Sequence, residues 1–179
     1  MISQQTLFTV SQGLYVLGTP KQPDFSKDAS VSFSSEKWTG CIIDAAMMAT
    51  VSPAQMLLCV NKTHFTTECL LQTKKATLSV LSEETDPFVI ANFGFQSGRT
   101  INKWDNLSPL LKWDMPFIEN SCAYFDLNVT EHKELSTHIL FFCDVTEAEG
   151  GSGVPLTYGE YQKNRRIAVI DAFKKFQQK

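Results

Sequence analysis

The sequence predicts a mainly β fold with a few short helices. Apolar and β-branched runs are short, several alternate with period two, and turn-forming residues separate them. The chain lacks the strand-helix-strand alternation of a parallel nucleotide-binding sheet. Its 179 residues, 43% of them hydrophobic, suffice for one core but not for two domains. We therefore expect residues 1–179 to form a single domain, with residues 163–179 as a C-terminal helical tail.

Three strands are predicted in the first third of the chain. Residues 13–18, GLYVLG, form a β-branched and aromatic run that is closed by Gly-Thr-Pro. Residues 39–52 and 56–60 are apolar runs split by Ser52-Pro53, which predicts two antiparallel strands joined by a tight turn. Because Ala and Met favour helix, a helical assignment of residues 39–52 stays open. The polar, Ser-rich residues 20–38 predict a long loop.

The rest of the chain predicts short helices among further strands. Thr66 is the expected N-cap of a helix over Phe65–Thr73, and Thr85 or Asp86, followed by Pro87, starts a second helix that ends at Phe93. Alternation predicts strands over residues 76–81, 122–129 and 137–145, and apolar residues at helical spacing predict a last helix over 164–176.

Charge and composition exclude several classes of protein. The net charge is −3, and the largest basic cluster is Lys163, Arg165 and Arg166, so no nucleic-acid interface is predicted. The N-terminal residues lack a charged leader, and no apolar run approaches the roughly 20 residues that a bilayer requires, so we expect a cytoplasmic protein without a membrane span. Five cysteines without a C-x-x-C pair predict buried thiols rather than disulfides or zinc ligands, and the three scattered histidines predict no metal site.

The stretch from Asn92 to Arg99, NFGFQSGR, has the composition of a phosphate-binding turn. Gly94 and Gly98 permit close backbone approach, Ser97 offers a hydroxyl, and Arg99 offers a forked cation. The same residues are also compatible with an ordinary glycine-rich turn and a solvated arginine.

Two further segments are candidate binding elements. In DAAMMATVSP, from Asp44, small alanines would let a flat ring lie against a strand and approach its backbone N–H groups. The alternative is a buried barrel strand lined with methionine. The polar segment from Asn61 to Thr67 precedes a helix whose first amides, with Lys62 and Thr66, favour an anion, although it could be only a capped helix.

Taken in order, these segments resemble the flavin reductase-like FMN-binding split-barrel family, in particular flavoredoxin-type members and the flavin domain of high-molecular-weight rubredoxins. The matching stretches are GLYVL, TGCIIDAAMMATVSP, LLCVNKTHFTTE, LSVLSEET, IANFGFQSGRTINKW, THILFFCDV and PLTYGEYQ. They run from Gly13 to Gln162, and FGFxSGR and PLTYxxY are the most specific. Hydrolase, Walker and kinase motifs do not occur in the sequence.

The resemblance implies a six-stranded antiparallel Greek-key split β-barrel that forms a homodimer with FMN near the subunit interface. It implies hydride transfer from NADH or NADPH to the flavin, or electron passage to a flavin or a rubredoxin-like protein acceptor, with no catalytic side chain. A non-enzymatic flavin-binding electron carrier for a rubredoxin-type partner is the alternative. The resemblance implies that the phosphate or ribityl chain lies at Ser97–Arg99 with Thr66 and Lys62, and that the ring lies along residues 44–50. The full set of expected FMN contacts is Asp44, Ala45, Ala46, Met47, Met48, Ala49, Thr50, Asn61, Lys62, His64, Thr66, Thr67, Phe93, Ser97, Gly98 and Arg99.

The chain departs from the usual family pattern at the ring. Asp44-Ala45 stands where relatives usually carry Asn-Thr, and Met48 where they often carry Gln. His64 and Thr67 replace an Asn and a His, and the loop over residues 20–38 is longer than usual and is a candidate cap over the flavin. An ionised Asp44 beside the ring would disfavour the anionic reduced flavin and lower its reduction potential.

Overall fold

The structure is a computed structural model that describes residues 6, 9–23 and 33–178. The strands are β1 (Tyr15–Pro20), β2 (Trp38–Ile43), β3 (Ala46–Val51), β4 (Ala54–Asn61), β5 (Lys75–Val80), β6 (Leu110–Lys112), β7 (Met115–Phe117), β8 (Ala123–Glu134) and β9 (His138–Gly150). The helices are α1 (Phe65–Thr73), α2 (Pro87–Phe95) and α3 (Arg166–Gln177), the last preceded by a helical turn at Tyr158–Glu160 and a π-helical segment at Tyr161–Arg165. The mainly β class is therefore confirmed.

The main sheet has seven antiparallel strands in the order β2-β1-β5-β8-β9-β4-β3. β2 and β3 occupy opposite edges of this sheet, yet only residues 44 and 45 join them. The sheet must therefore curl until its two edges meet, which makes it a barrel. The Cys59 amide donates to the Ala45 carbonyl over 2.9 Å, so the β3–β4 pairing continues into this junction.

The prediction of one strand over residues 39–52 is wrong in detail. The chain leaves one edge of the sheet after Ile43 and joins the other edge at Ala46, so the run forms two strands and the sheet has seven strands rather than six. The predicted turn at Ser52-Pro53 does join β3 to β4. The helical assignment of this run and the alternative of a buried methionine strand are also wrong, because β3 is an edge strand with Met47 58% and Met48 46% exposed.

The helices begin close to where the sequence predicts. α1 spans the predicted residues, but its N-cap is His64, and Thr66 lies buried in the first turn. In α2 the Asp86 carboxylate accepts from the Phe88 amide over 2.8 Å, which satisfies one of the free amides at the helix start. α2 runs two residues further than predicted and packs on α3 through Phe95 and Phe173, whose ring centroids are 5.5 Å apart.

Two apolar clusters lie on either side of the barrel wall. The barrel interior includes Leu17, Leu58, Leu78, Leu127 and Phe141. The second cluster lies under α2 and includes Leu14, Trp38, Phe93, Trp104 and Phe117. Because α2 packs on this outer cluster, its C-terminal end is fixed against the wall at β2. Within the described residues, no helix combines the length and the apolar character needed to span a membrane.

The β6–β7 hairpin, the cysteines and the loop over residues 20–38 complete the comparison with the predicted fold. The hairpin of β6 and β7 was not predicted. All five cysteines are free thiols, of which Cys41, Cys69 and Cys143 are buried. Residues 24–32 of the long loop lie outside the described residues, so its role as a cap stays a prediction.

Candidate cofactor-binding cleft

A cleft of about 240 Å³ opens between the start of α1 and the end of α2. Its wall residues come from β2, from the turn before α1 and the first turn of α1, and from α2 and the segment that follows it. They are Cys41, Thr63, His64, Phe65, Thr66, Phe93, Gly94, Phe95, Gln96, Ser97, Gly98 and Lys103. Five of the predicted contacts thus meet here: His64, Thr66, Phe93, Ser97 and Gly98.

A compact turn places the start of α1 at the cleft. The Asn61 side-chain oxygen accepts from the Thr63 amide over 2.9 Å, and the Asn61 carbonyl accepts from the Thr67 hydroxyl over 2.7 Å. Asn61 and Thr67 therefore support the turn and do not themselves line the cleft. Thr66, 2% exposed, does line it.

The segment after α2 approaches β2 so closely that only glycine fits at one position. A Cβ at Gly98 would lie 2.1 Å from the Thr39 hydroxyl and 3.2 Å from the Phe65 ring. At Gly94 the nearest atom would be 3.5 Å away, on Ile42, which is an ordinary contact. Of the two predicted glycines, Gly98 is therefore the one that the packing requires.

Lys103 is the most buried charged group of the cleft. Its side chain is 3% exposed, and Nζ donates to the Phe93 carbonyl over 2.9 Å. In the described part of the chain, no carboxylate lies within ion-pair distance of it. Burial lowers the pKa of Lys103 to about 8. Sequence reasoning missed this residue.

Two buried polar atoms at or near the cleft are also left without partners. The Nδ1 atom of His64 and the hydroxyl of Thr39 are buried, and neither has a hydrogen-bond partner among the described residues. Burial and the nearby Lys103 charge lower the pKa of His64. Cys41 faces the same region, and burial raises its pKa to about 11, so it is a neutral thiol. The cleft therefore offers cation and donor groups without an anion, which suits a phosphate ester.

Two predicted cations are already engaged outside the cleft wall. Arg99 forms an ion pair with Glu68, and its guanidinium lies 5.1 Å from the centre of the Phe65 ring. Lys62 forms an ion pair with Glu134 over 2.8 Å. Both side chains are substantially solvent-exposed.

The residues predicted to contact the ring lie at the β2–β3 junction and along β3, outside the cleft wall. β2 links the two places, because Cys41 lines the cleft and Asp44 follows three residues later, roughly 10 Å along an extended chain. Asp44 lies close enough to Tyr15 and Cys59 to raise the pKa of both, after burial as the larger cause. Residues 45–50 are partly or fully exposed.

Apart from Lys103, the cleft residues that were not among the predicted contacts are Cys41, Thr63, Phe65, Gly94, Phe95 and Gln96. Phe65 and Phe95 flank the opening, and Gln96 donates to the Asn92 side chain over 2.9 Å. The Asn92 amide in turn donates to the Lys103 carbonyl over 2.6 Å, which ties the segment after α2 back to the helix. The predicted NFGFQSGR motif contains Gly94, Phe95 and Gln96, so it was the sequence signal that could have identified them as cleft residues.

An antiparallel barrel with an electropositive, glycine-lined cleft on its edge strand defines a small β-barrel protein that binds a phosphorylated cofactor. The chain belongs to the flavin reductase like domain family, which matches residues 7–165. This membership confirms the resemblance, the split-barrel class, and the prediction of an FMN-using oxidoreductase of the flavin reductase type.

Three similar proteins illustrate the range of the family. The high molecular weight rubredoxin of Moorella thermoacetica is 25% identical over 90% of this chain, which spans 66% of that protein's length. The ferric-chelate reductase (NAD(P)H) of Archaeoglobus fulgidus is 25% identical over 93% of this chain and 95% of its own. The styrene monooxygenase flavin reductase of Pseudomonas putida S12 has the same fold, with a TM-score of 0.66 and 18% identity over 86% of this chain and 90% of its own.

Proposed function

We propose that this chain is an NAD(P)H-dependent reductase that passes electrons through bound FMN to a flavin or protein acceptor. The observation that carries the proposal is the cleft beside α1, in which the buried Lys103 and the unpartnered Nδ1 of His64 meet no carboxylate among the described residues. A phosphate monoester supplies the missing charge. The ferric-chelate reductase relative, which is named for NAD(P)H, supports a nicotinamide donor.

The phosphate end of FMN would be held by His64, Thr66, Ser97 and Gly98, with Phe93 behind them. Asn61, Lys62, Thr67 and Arg99 would shape and border this end. The ring would lie along the β2–β3 junction, at Asp44, Ala45, Ala46, Met47, Met48, Ala49 and Thr50. The bound flavin supplies the exchange of a hydride and of electrons. The protein binds it, orients it and limits its exposure to water.

We further propose that β3 lies in a homodimer interface close to the ring. This edge strand leaves backbone groups unpaired, and its Met47, Met48 and Val51 side chains are 58%, 46% and 83% exposed. Val51→Lys should then shift the protein to the monomer mass in light scattering. Ile167→Lys is the matched control, because Ile167 is 77% exposed but lies on α3. A wild-type protein of monomer mass would reject the dimer.

The proposed function extends to the domain organisation, the cellular location and the electron donor. We infer a single domain over residues 1–179, which the family match over residues 7–165 supports, and a cytoplasmic location. NADH and NADPH are both candidates for the electron donor.

A second candidate function is an electron carrier that exchanges electrons with a rubredoxin-type partner. The similarity to the high molecular weight rubredoxin favours it, because this chain matches only 66% of that protein's length. The region without a counterpart here would correspond to a separate partner protein. In this case bound FMN would be reduced slowly by NADH and NADPH but rapidly by a partner protein.

The decisive experiment uses the purified protein under anaerobic conditions. An oxidised flavin spectrum, either as isolated or after FMN is added, would support the cofactor. Rapid bleaching by NADH or NADPH would then support the reductase, and slow bleaching the carrier. A protein that acquires no flavin spectrum would reject both.

A further inference from the structure

We propose that Lys103 is the cation that neutralises the cofactor phosphate, in place of Arg99 and Lys62. The inference rests on the proposed function and deepens it. It reassigns the charge at the phosphate end from two exposed residues to one buried residue.

Lys103 is buried in a way that demands an anion. Lysine is almost never fully buried unless it is paired, yet this side chain is 3% exposed and meets no carboxylate in the described part of the chain. An ammonium group has three donors. The structure shows one of them used, by the Phe93 carbonyl, which leaves donors for a ligand in the cleft.

The groups around Lys103 do not supply the missing charge. Cys41 faces it from β2 as a neutral thiol, and His64 faces it from the turn before α1 with its buried Nδ1 unpartnered. The first turn of α1 adds the positive end of a nine-residue helix. The one acidic residue of that turn, Glu68, is paired with Arg99, so its charge is already partly neutralised.

Arg99 and Lys62 are in a different position. Each already has a carboxylate partner, Glu68 and Glu134 respectively. A phosphate that recruited Arg99 would have to displace Glu68 or lie close to its negative charge. Among the residues that the structure describes, Lys103 has no such partner to give up, and it lines the cleft whereas the other two do not.

The test compares FMN with riboflavin, which lacks the phosphate, on the full-length protein after flavin removal. Dissociation constants come from quenching of flavin fluorescence for the wild type and for Lys103→Met, Arg99→Met, Lys62→Met and Lys112→Met. Lys103→Met should weaken FMN by about tenfold to a hundredfold, as expected for charge-assisted bonds, and riboflavin by less than about threefold. Arg99→Met and Lys62→Met, the competing assignments, should weaken FMN less than Lys103→Met does. Lys112→Met is the control and should change either flavin by less than about threefold, because Lys112 pairs with Glu149 and does not line the cleft.

A second measurement uses inorganic phosphate and does not depend on flavin. Phosphate should raise the melting temperature of the cofactor-free wild type but not that of Lys103→Met. Lys103→Gln repeats the comparison if the methionine variant fails to fold.

The pattern of affinities shows which residue neutralises the phosphate. Equal weakening of FMN and riboflavin would make Lys103 a structural residue, and unchanged FMN affinity would remove it from the phosphate site. A selective loss of FMN in Arg99→Met would return the charge to Arg99. A wild type that binds neither flavin would instead reject the proposed function.

Discussion

Lys103→Met should stabilise the cofactor-free protein while it weakens FMN binding. Burial lowers the pKa of Lys103 from 10.5 to about 8, and each unit corresponds to about 1.36 kcal/mol, so the buried charge costs about 3 kcal/mol at pH 7. Methionine fills a similar volume but loses the bond to the Phe93 carbonyl, worth about 1 kcal/mol, and leaves that carbonyl less well satisfied. We therefore expect a net gain of about 1–2 kcal/mol in the free energy of unfolding.

The gain should depend on pH in a defined direction. The unfolded chain holds the Lys103 proton more tightly than the folded protein, so the penalty is fully present below pH 8 and disappears as the pH rises toward 10.5. The difference between the variant and the wild type should shrink over this range. Comparing the two proteins is necessary, because the pKa values of Cys41, Cys69 and Cys143 are raised by burial and also affect alkaline stability.

Urea unfolding of the cofactor-free proteins at pH 7, 8.5 and 10 measures this difference. Lys112→Met is the matched control, since Lys112 is paired with Glu149 over 2.6 Å and its loss should give no gain at any pH. With saturating FMN, the ranking of Lys103→Met and the wild type should reverse. A Lys103→Met protein that is less stable than the wild type at pH 7, or a difference that does not vary with pH, would refute the buried-charge argument.

Three further predictions concern the turn, the ring and a helix cap. Gly98→Ala should weaken FMN by about tenfold or more in a fluorescence titration, because its Cβ would clash with the Thr39 hydroxyl, whereas Gly94→Ala should bind normally and melt at an equal or higher temperature. Asp44→Asn should raise the FMN reduction potential by on the order of 20 mV in a redox titration, because it removes a negative charge beside the ring. The same change should lower the pKa of Cys59, measured by thiol alkylation. An unchanged potential would show that Asp44 does not lie beside the ring. Asp86→Ala should cost about 1 kcal/mol in urea unfolding through loss of the α2 cap, with FMN affinity unchanged.

The fold could be predicted where the signals are local. The polar turn before Phe65 and the Asp86-Pro87 pair mark both helix starts within a few residues of their position in the structure. The break between β2 and β3 has only a weak signal, because Asp44-Ala45 contains neither Gly nor Pro and Asp44 is a single polar residue between two apolar stretches. That break is imposed by barrel closure, which depends on strands distant in sequence.

The candidate site divides in the same way. Gly98 and Ser97 were recognisable because glycine and serine have few reasons to cluster outside turns. Lys103 stands in the polar stretch TINKWDN, where a lysine is expected to be solvated, and it is buried only because Asn92 holds its backbone and the neighbouring Trp104 fills the core. Conversely, the acidic partners of Arg99 and Lys62 lie 31 and 72 residues away, so no local pattern could show that these cations are engaged.

The cleft contains a buried cation that has no carboxylate partner among the described residues. Lys75, another lysine of low exposure, forms an ion pair with Asp126, whereas the Lys103 ammonium, within the part of the chain that the structure describes, contacts only the carbonyl and the ring of Phe93. The Nδ1 atom of His64 and the hydroxyl of Thr39 have no hydrogen-bond partner in the described chain. A sequence that served stability alone would place an apolar residue at Lys103, since an unpaired buried charge is costlier than a well-packed hydrophobic side chain. Retaining the lysine makes sense if a ligand completes the charge pair, because the same ammonium that weakens the empty barrel then holds an anion against it.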